Sequence, residues 1–304
     1  MILITEFMDE TQVERLAGVH PTTYAPDLAD RQADIPALME GIKALIVRNR
    51  TQVNETLLNA APDLKVVGRL GVGLDNIDLK ACAARGVEVI PAIGANTLSV
   101  AEYVVTNALV LLRGAYLSRS RMQAGQWPRG DLSGREAAGR TLGLIGYGGI
   151  AQETARLARA LGMTVCAFDP HLSADHAAWD EAERLDLDGV LGRADAVSLH
   201  VPLNDETRYM LDHSRIGLMK SDAVIINAAR GGVLDEVALA KHMKSGHIAG
   251  AALDVFETEP LTKDAAALFE GIENLILTPH IAGVTEDSNV RVSEMIASAV
   301  LARV

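Results

Sequence analysis

Short apolar runs alternate along this chain with longer stretches whose apolar positions return at helical spacing. Up to about residue 95, runs at Ile2–Thr5, Ala44–Val47, Leu64–Gly68 and Val87–Ile90 predict strands. Glu10–Ala17, Ile35–Ile42, Asn54–Ala60 and Leu79–Arg85 predict helices between them. That alternation predicts a parallel sheet wrapped by helices. Residues 94–123 read as one long helical stretch bent at Gly114. Its first half is apolar on nearly every face and requires burial on all sides, partly by another subunit or domain. The rhythm then resumes. Leu142–Ile145, Thr164–Phe168, Ala196–His200, Ala223–Asn227, Ala249–Val255 and Leu275–Thr278 predict six further strands. Helices are predicted near Ser214–Met219 and Glu236–Ser245, and the tail from Glu286 to Val304 has helical periodicity.

At 304 residues, 49% hydrophobic and 22% charged, the chain has room for two domains with separate cores. A net charge of −12 argues against nucleic acid and anionic membrane surfaces as partners. The longest apolar stretch, Thr97 to Leu112, is interrupted by Glu102 and Asn107, which makes it a buried helix rather than a membrane span. The first ten residues lack a basic n-region, so no signal peptide is read and a cytoplasmic location is expected. Cys82 and Cys166 sit in apolar runs as buried free thiols.

Between the first two strands of the second series lies Gly146-Tyr147-Gly148-Gly149-Ile150-Ala151. Strand, glycine turn, helix, strand and acid in that order make a dinucleotide-binding fingerprint. Gly146 permits the sharp turn, and Gly148 removes a side chain where a pyrophosphate must approach. The free N–H groups of the helix start, including Gly149 and Ile150, then face the phosphate. Asp169 follows at the usual spacing of about 20 residues and would accept hydrogen bonds from the adenosine ribose. Pro170, His171 and Leu172 offer no Arg for a 2′-phosphate, so the expected cofactor is NAD. A second glycine stretch, Gly68 to Asn76, lacks a following acid. It suits a small anion held by backbone N–H groups.

Transferring a hydride from a hydroxyl-bearing carbon needs a proton acceptor and a cation to hold the substrate. Arg230 follows one predicted strand; its planar fork grips a carboxylate and cannot lose its charge. The next strand ends in Asp254-Val255-Phe256-Glu257-Thr258-Glu259-Pro260, and the last in Thr278-Pro279-His280. A His–carboxylate pair would serve as general acid/base. His200 occupies a similar strand end, so the residues alone do not choose between His200 and His280, nor between Glu257 and Glu259.

These motifs, with Ala228–Leu239, DVFETEP and LTPHIAG, make the chain resemble the D-isomer-specific 2-hydroxyacid dehydrogenases over essentially its whole length. The resemblance implies Arg230 as the substrate-orienting residue, His280 as acid/base and Glu259 as its partner. It places Asp254 on the nicotinamide amide, and His200, Val201, Pro202, Thr207, Ala228 and Gly283 along the cofactor. Val72 and Gly73 would bind the substrate carboxylate, with Asn96 beside them. Formate is disfavoured, because formate dehydrogenases of the superfamily carry Gln where Glu259 stands. The stretch from Leu45 to Asp78 is similar to 3-phosphoglycerate dehydrogenases, which puts Arg48 and Arg69 at a distal phosphate, with Arg129 reaching in from a partner subunit. The implied fold is a Rossmann domain, 96–283, inserted into a flavodoxin-like substrate domain, 1–95 plus 284–304, with the site in the crevice between them. The implied activity is reversible hydride transfer between NAD and C2 of a D-2-hydroxy acid with a distal anion such as 3-phosphoglycerate. Sulfolactate, hydroxypyruvate and glyoxylate are alternative substrates, and a homodimer through the 97–122 helix is expected. The rival from another class is a non-enzymatic NAD-sensing binding protein, for which the sequence offers no basic patch.

Overall fold

In the computed structural model, which describes all 304 residues, the chain forms two compact units. Residues Met1–Asn96 and Val284–Val304 make one, and Thr97–Gly283 the other.

The first unit is built on a sheet of β1 (Ile2–Ile4), β2 (Thr22–Tyr24), β3 (Ala44–Val47), β4 (Val66–Arg69) and β5 (Glu88–Pro91), ordered β2-β1-β3-β4-β5. Every pairing is parallel. This is the flavodoxin-like order. Alternation along β3 explains why the strands read as continuous apolar runs. Leu45 and Val47 enter the core on one face of the sheet, Ala44 and Ile46 the core on the other, and none is exposed. Helices α1 (Glu10–Ala17), α2 (Glu55–Asn59) and α3 (Leu79–Ala84) lie along the chain between strands. The expected helix over Ile35–Ile42 is instead a 3-10 helix, Leu28–Leu38, broken at Arg31 and containing Pro36. Proline removes an N–H donor and crowds the preceding turn, so the apolar spacing survives as core contacts of Ile35, Met39 and Ile42 without an α-helix.

The second unit has a seven-stranded sheet of β6 (Thr141–Ile145), β7 (Thr164–Phe168), β8 (Glu183–Arg184), β9 (Ala196–Leu199), β10 (Val224–Asn227), β11 (Gly250–Leu253) and β12 (Leu275–Leu277). Its order, β12-β11-β10-β9-β6-β7-β8, is the Rossmann arrangement with one further strand, again all parallel. The fold class read from the sequence holds, but six strands become seven, because the two-residue β8 is exposed and carries no apolar pattern. The stretch 94–123 is two helices, α4 (Thr97–Arg113) and α5 (Arg119–Gln123), separated at Gly114 (φ 65°). The remaining helices are α6 (Gly149–Ala160), α7 (Leu187–Arg193), α8 (His213–Ile216), α9 (Glu236–Lys244) and α10 (Lys263–Ala266). Asp186, Asp212 and Asp235 cap α7, α8 and α9 by accepting a first-turn backbone N–H.

The chain then rejoins the first unit as α11 (Glu286–Leu301), opened by a Thr285–Ser288 capping box. Its packing on β4 is close: a Cβ on Gly68 would lie 2.6 Å from Ile296. Cys82 and Cys166 are buried and unpaired with each other. No helix is long and apolar enough to cross a membrane.

Candidate active site

In the Rossmann sheet, the strand order reverses between β6 and β9, and open α/β sheets bind ligands at that point. Gly146 follows β6 with φ 88°, and a Cβ there would meet the His200 carbonyl oxygen, just past β9, at 2.6 Å. A side chain is excluded by conformation and by contact alike. A Cβ on Gly148 or Gly149 meets nothing, and Gly148 caps α6 without a side-chain hydrogen bond. The α6 start is therefore clear of side chains and its first N–H groups lack a capping group, which fits a pyrophosphate. Ile150 and Val201 are half-buried beside this turn.

Asp169, beyond β7, accepts N–H groups of Tyr147 (2.8 Å), His171 (2.8 Å) and Leu172 (3.1 Å). Three of about four acceptor positions are thus used within the protein, leaving Oδ2 room for one ribose hydroxyl. A cavity of about 510 Å³ is lined by Phe168, Asp169, Pro170, Arg184, Leu185 and Asp186. The cation in that cavity is Arg184, which does not directly follow Asp169 in the sequence. It comes from β8, beside β7, and its guanidinium lies 5.5 Å from the Trp179 ring centre.

Two ambiguities in the sequence are separated by distance. Glu259 Oε2 lies 2.7 Å from His280 Nδ1, and its Oε1 accepts the Phe256 N–H at 3.0 Å. Burial raises the Glu259 pKa, but the hydrogen bonds from His280 and Phe256 and the charges of His280 and Arg230 outweigh it, and the net shift is down. Glu257 turns elsewhere, accepting the Tyr209 hydroxyl at 2.9 Å. His200 is half-buried, its Nε2 3.0 Å from Ser198 Oγ, and burial pushes its pKa down to about 4. A His200 that stays neutral cannot act as an imidazolium acid near neutral pH. His280 is exposed and its Nε2 is not engaged by the protein.

The turn that presents His280 is held by a network the sequence did not reveal. Asp254, 1% exposed, accepts Thr278 Oγ1 (2.6 Å) and the N–H groups of Ile281 (2.8 Å) and Ala282 (2.8 Å). The Tyr103 hydroxyl of α4 is 2.7 Å from Thr278 Oγ1, and burial raises its pKa to about 12. With Thr278 donating to Asp254, Tyr103 donates to Thr278. His280 itself adopts φ 55° and donates its N–H to the Asp254 carbonyl (2.8 Å). Asp254 thus anchors the loop that carries His280.

Arg230 and Ala228 are half-buried beyond β10, and Arg230 Nη1 donates to the Ala229 carbonyl at 2.6 Å. Gly231 approaches the other loop so closely that a Cβ would strike the Phe256 carbonyl at 1.9 Å. The Thr207 hydroxyl donates to Pro202 (2.6 Å) and accepts Asn204 N–H (2.8 Å). These bonds shape the loop after β9. Gly283 ends the second unit.

In the first unit, Arg69 ends β4 and its guanidinium lies over Gly71 while donating to the Leu70 carbonyl (3.1 Å). The Val72 and Gly73 N–H groups donate to no other backbone group. Asn96 Oδ1 is buried without a hydrogen-bond partner. Arg48 follows β3 and donates from Nη2 to Asn289 Oδ1 at 2.6 Å. Arg129 stands on an exposed turn of the second unit.

Residues 105–282 match the family model described as D-isomer specific 2-hydroxyacid dehydrogenase, NAD binding domain. The chain is 53% identical to the (S)-sulfolactate dehydrogenase of Chromohalobacter salexigens over 293 residues, covering 96% of this chain and 94% of that protein. It is 37% identical over 300 residues to the D-3-phosphoglycerate dehydrogenase of Methanocaldococcus jannaschii, covering 97% of this chain but 56% of that one. Among solved structures, D-lactate dehydrogenase from Aquifex aeolicus, complexed with NAD and lactic acid, superposes with a TM-score of 0.85 at 28% identity, covering 99% and 95% of the two chains. A glycine turn, a tethered acid and a His–Glu pair on a Rossmann sheet, with a family model matched over residues 105–282 and a dehydrogenase relative matched over 96% of the chain, leave one conclusion: the chain belongs to the D-isomer specific 2-hydroxyacid dehydrogenases and is an NAD-dependent enzyme of that family.

Proposed function

We propose that the protein interconverts a D-configured 2-hydroxy acid and its 2-oxo acid, with a sulfonate or similar anion on C3, and that 3-sulfolactate is the substrate of first choice. The observation that carries the chemistry is the 2.7 Å contact between His280 Nδ1 and Glu259 Oε2. In oxidation, His280 Nε2 takes the C2 hydroxyl proton, and Glu259 balances the resulting imidazolium. In reduction the same nitrogen returns that proton. Arg230 holds the carboxylate and polarises the C2 oxygen, and the Val72 and Gly73 N–H groups hold the carboxylate from the loop after β4. Bound NAD supplies the hydride acceptor. The residues at Gly146–Ile150 and Asp169 hold its pyrophosphate and ribose, and Asp254 its amide.

The sequence alone put 3-phosphoglycerate first. The likeness to a sulfolactate dehydrogenase over nearly the full length of both proteins reorders the two. The stereochemistry agrees. Replacing the methyl group of D-lactate by CH2SO3− makes that arm outrank the carboxylate, so (S)-sulfolactate has the D arrangement. Arg48 and Arg69, on adjacent strand ends, support a distal anion. A homodimer is part of this proposal, supported by Tyr116 (70% exposed) and Trp127 (77% exposed) beside α5; Arg129 would then serve the partner's site. The test is NADH formation with both enantiomers of sulfolactate, and with D-3-phosphoglycerate, D-glycerate and D-lactate. The proposal expects (S)-sulfolactate to lead in kcat/KM. Leadership by an uncharged-tail acid, or by (R)-sulfolactate, would overturn it.

A further inference from the structure

The order of the first sheet also reverses once, between β1 and β3, and ligands of open parallel sheets gather beyond the carboxyl ends of strands at such a reversal. The segment after β1 places Glu6 and Phe7 there, and the segment after β3 places Arg48. Glu6 is 2% exposed, and its carboxylate is consumed locally. Oε1 accepts the N–H groups of Arg48 (2.8 Å) and Thr51 (2.9 Å), and Oε2 accepts that of Arg50 (3.1 Å). The Arg50 side chain approaches Oε2 at 3.7 Å as well. Glu6 therefore fixes the backbone that carries Arg48 without clasping its guanidinium.

The guanidinium is held by groups without charge. Its Nη2 donates to Asn289 Oδ1 at 2.6 Å, and its Cζ lies 5.9 Å from the centre of the Phe7 ring, which is half exposed. Burial lowers the Arg48 pKa, and the Glu6 charge acts in the opposite direction. Asn289 belongs to the first turns of α11, which the packing of Ile296 against Gly68 locks onto β4. A carboxylate at position 289 would form a paired fork with the arginine and cancel its charge. An amide oxygen orients it and leaves the charge for a ligand.

We infer that Asn289 is a specificity-determining residue, a neutral acceptor that aims Arg48 at the sheet's switch point so that its charge serves the distal anion of the substrate. This rests on the substrate reading above and goes further by naming what sets the selectivity.

The test compares the wild type with Asn289→Asp, Asn289→Ala, Asn289→Gln and Arg48→Met, measuring kcat and KM separately for (S)-sulfolactate and D-lactate. The readout is the ratio of kcat/KM for the two acids. Asn289→Asp should lower that ratio about tenfold to a hundredfold, mainly through KM for sulfolactate, since a carboxylate both pairs with the arginine and repels the sulfonate. Asn289→Ala should lower it less, and Asn289→Gln should restore most of it. A purely structural role would lower kcat/KM for both acids alike, with the ratio unmoved, and that result would overturn the inference. If Arg48→Met collapses the ratio while Asn289→Asp keeps it, the anion reading stands and the role of Asn289 falls. If the wild type shows no preference and Arg48→Met changes nothing, both fall.

Discussion

Glu236 is a buried carboxyl group whose ionisation the fold resists, and its replacement by Gln tests the electrostatics around the His280–Glu259 pair. It opens α9, is 8% exposed, and accepts the Glu257 N–H at 2.7 Å. Burial raises its pKa, and the charges of Glu257, Glu259 and Asp235 add to that against the one hydrogen bond, bringing it to about 7 from 4.5. Between those values the folded protein binds more protons than the unfolded chain. Stability contributed by the protonated form is therefore fully present below pH 4.5 and is lost as pH rises toward 7. At about 1.4 kcal/mol per unit, the loss is on the order of 3 kcal/mol as an upper bound. Glu236→Gln keeps the acceptor for Glu257 and removes the titration. The variant should unfold like the wild type at pH 4 and be more stable by roughly 1–3 kcal/mol at pH 8. For a unit of this size, each kcal/mol appears as about 2–4 °C in Tm. Thermal unfolding of both proteins at the two pH values reads the effect. An equal difference at both, or a variant less stable at pH 8, would refute the reasoning.

Asp169→Ser should narrow the preference for NAD over NADP, measured as the ratio of kcat/KM, because Arg184 remains as a cation in the same cavity once the carboxylate is gone. Activity with NAD should fall as well, since three backbone N–H groups lose their acceptor. Thr278→Val removes the link between Tyr103 and Asp254 and leaves a buried phenol and carboxylate short of a partner. It should cost about 1–3 kcal/mol in urea unfolding and lower kcat more than NAD affinity. Glu259→Gln should leave measurable turnover but move the pH limit of the reduction direction downward, because the imidazolium loses its counter-charge; a pH profile that does not move would contradict the pairing.

Apolar periodicity exposed the strands that lie inside each sheet, because Val, Ile and Leu buried on both faces leave a continuous run. The edges were less legible. β2 reads Thr-Thr-Tyr and is only half-buried, and β8 is Glu-Arg, exposed at both positions, so neither carries an apolar signal. Arg184 was missed for that same reason. The glycine turn announced itself through spacing, since Gly146 and Gly148 answer to local backbone constraints. The choices between His200 and His280 and between Glu257 and Glu259 could not be read, because each pair occupies equivalent strand ends. Burial of His200 and the turn of Glu257 toward Tyr209 are tertiary facts. Asn289 gave no sign either: it lies 241 residues from Arg48 in the chain.

The central claim is that His280, oriented by Glu259, moves the substrate proton. Its most direct test is the single-turnover rate of NADH oxidation by the 2-oxo acid in His280→Ala and in His200→Ala, with NADH affinity measured in parallel. The account predicts a loss of about 10²–10⁴-fold in His280→Ala with NADH still bound, and a far smaller loss in His200→Ala. Abolished turnover in His200→Ala alongside near-normal turnover in His280→Ala would contradict it.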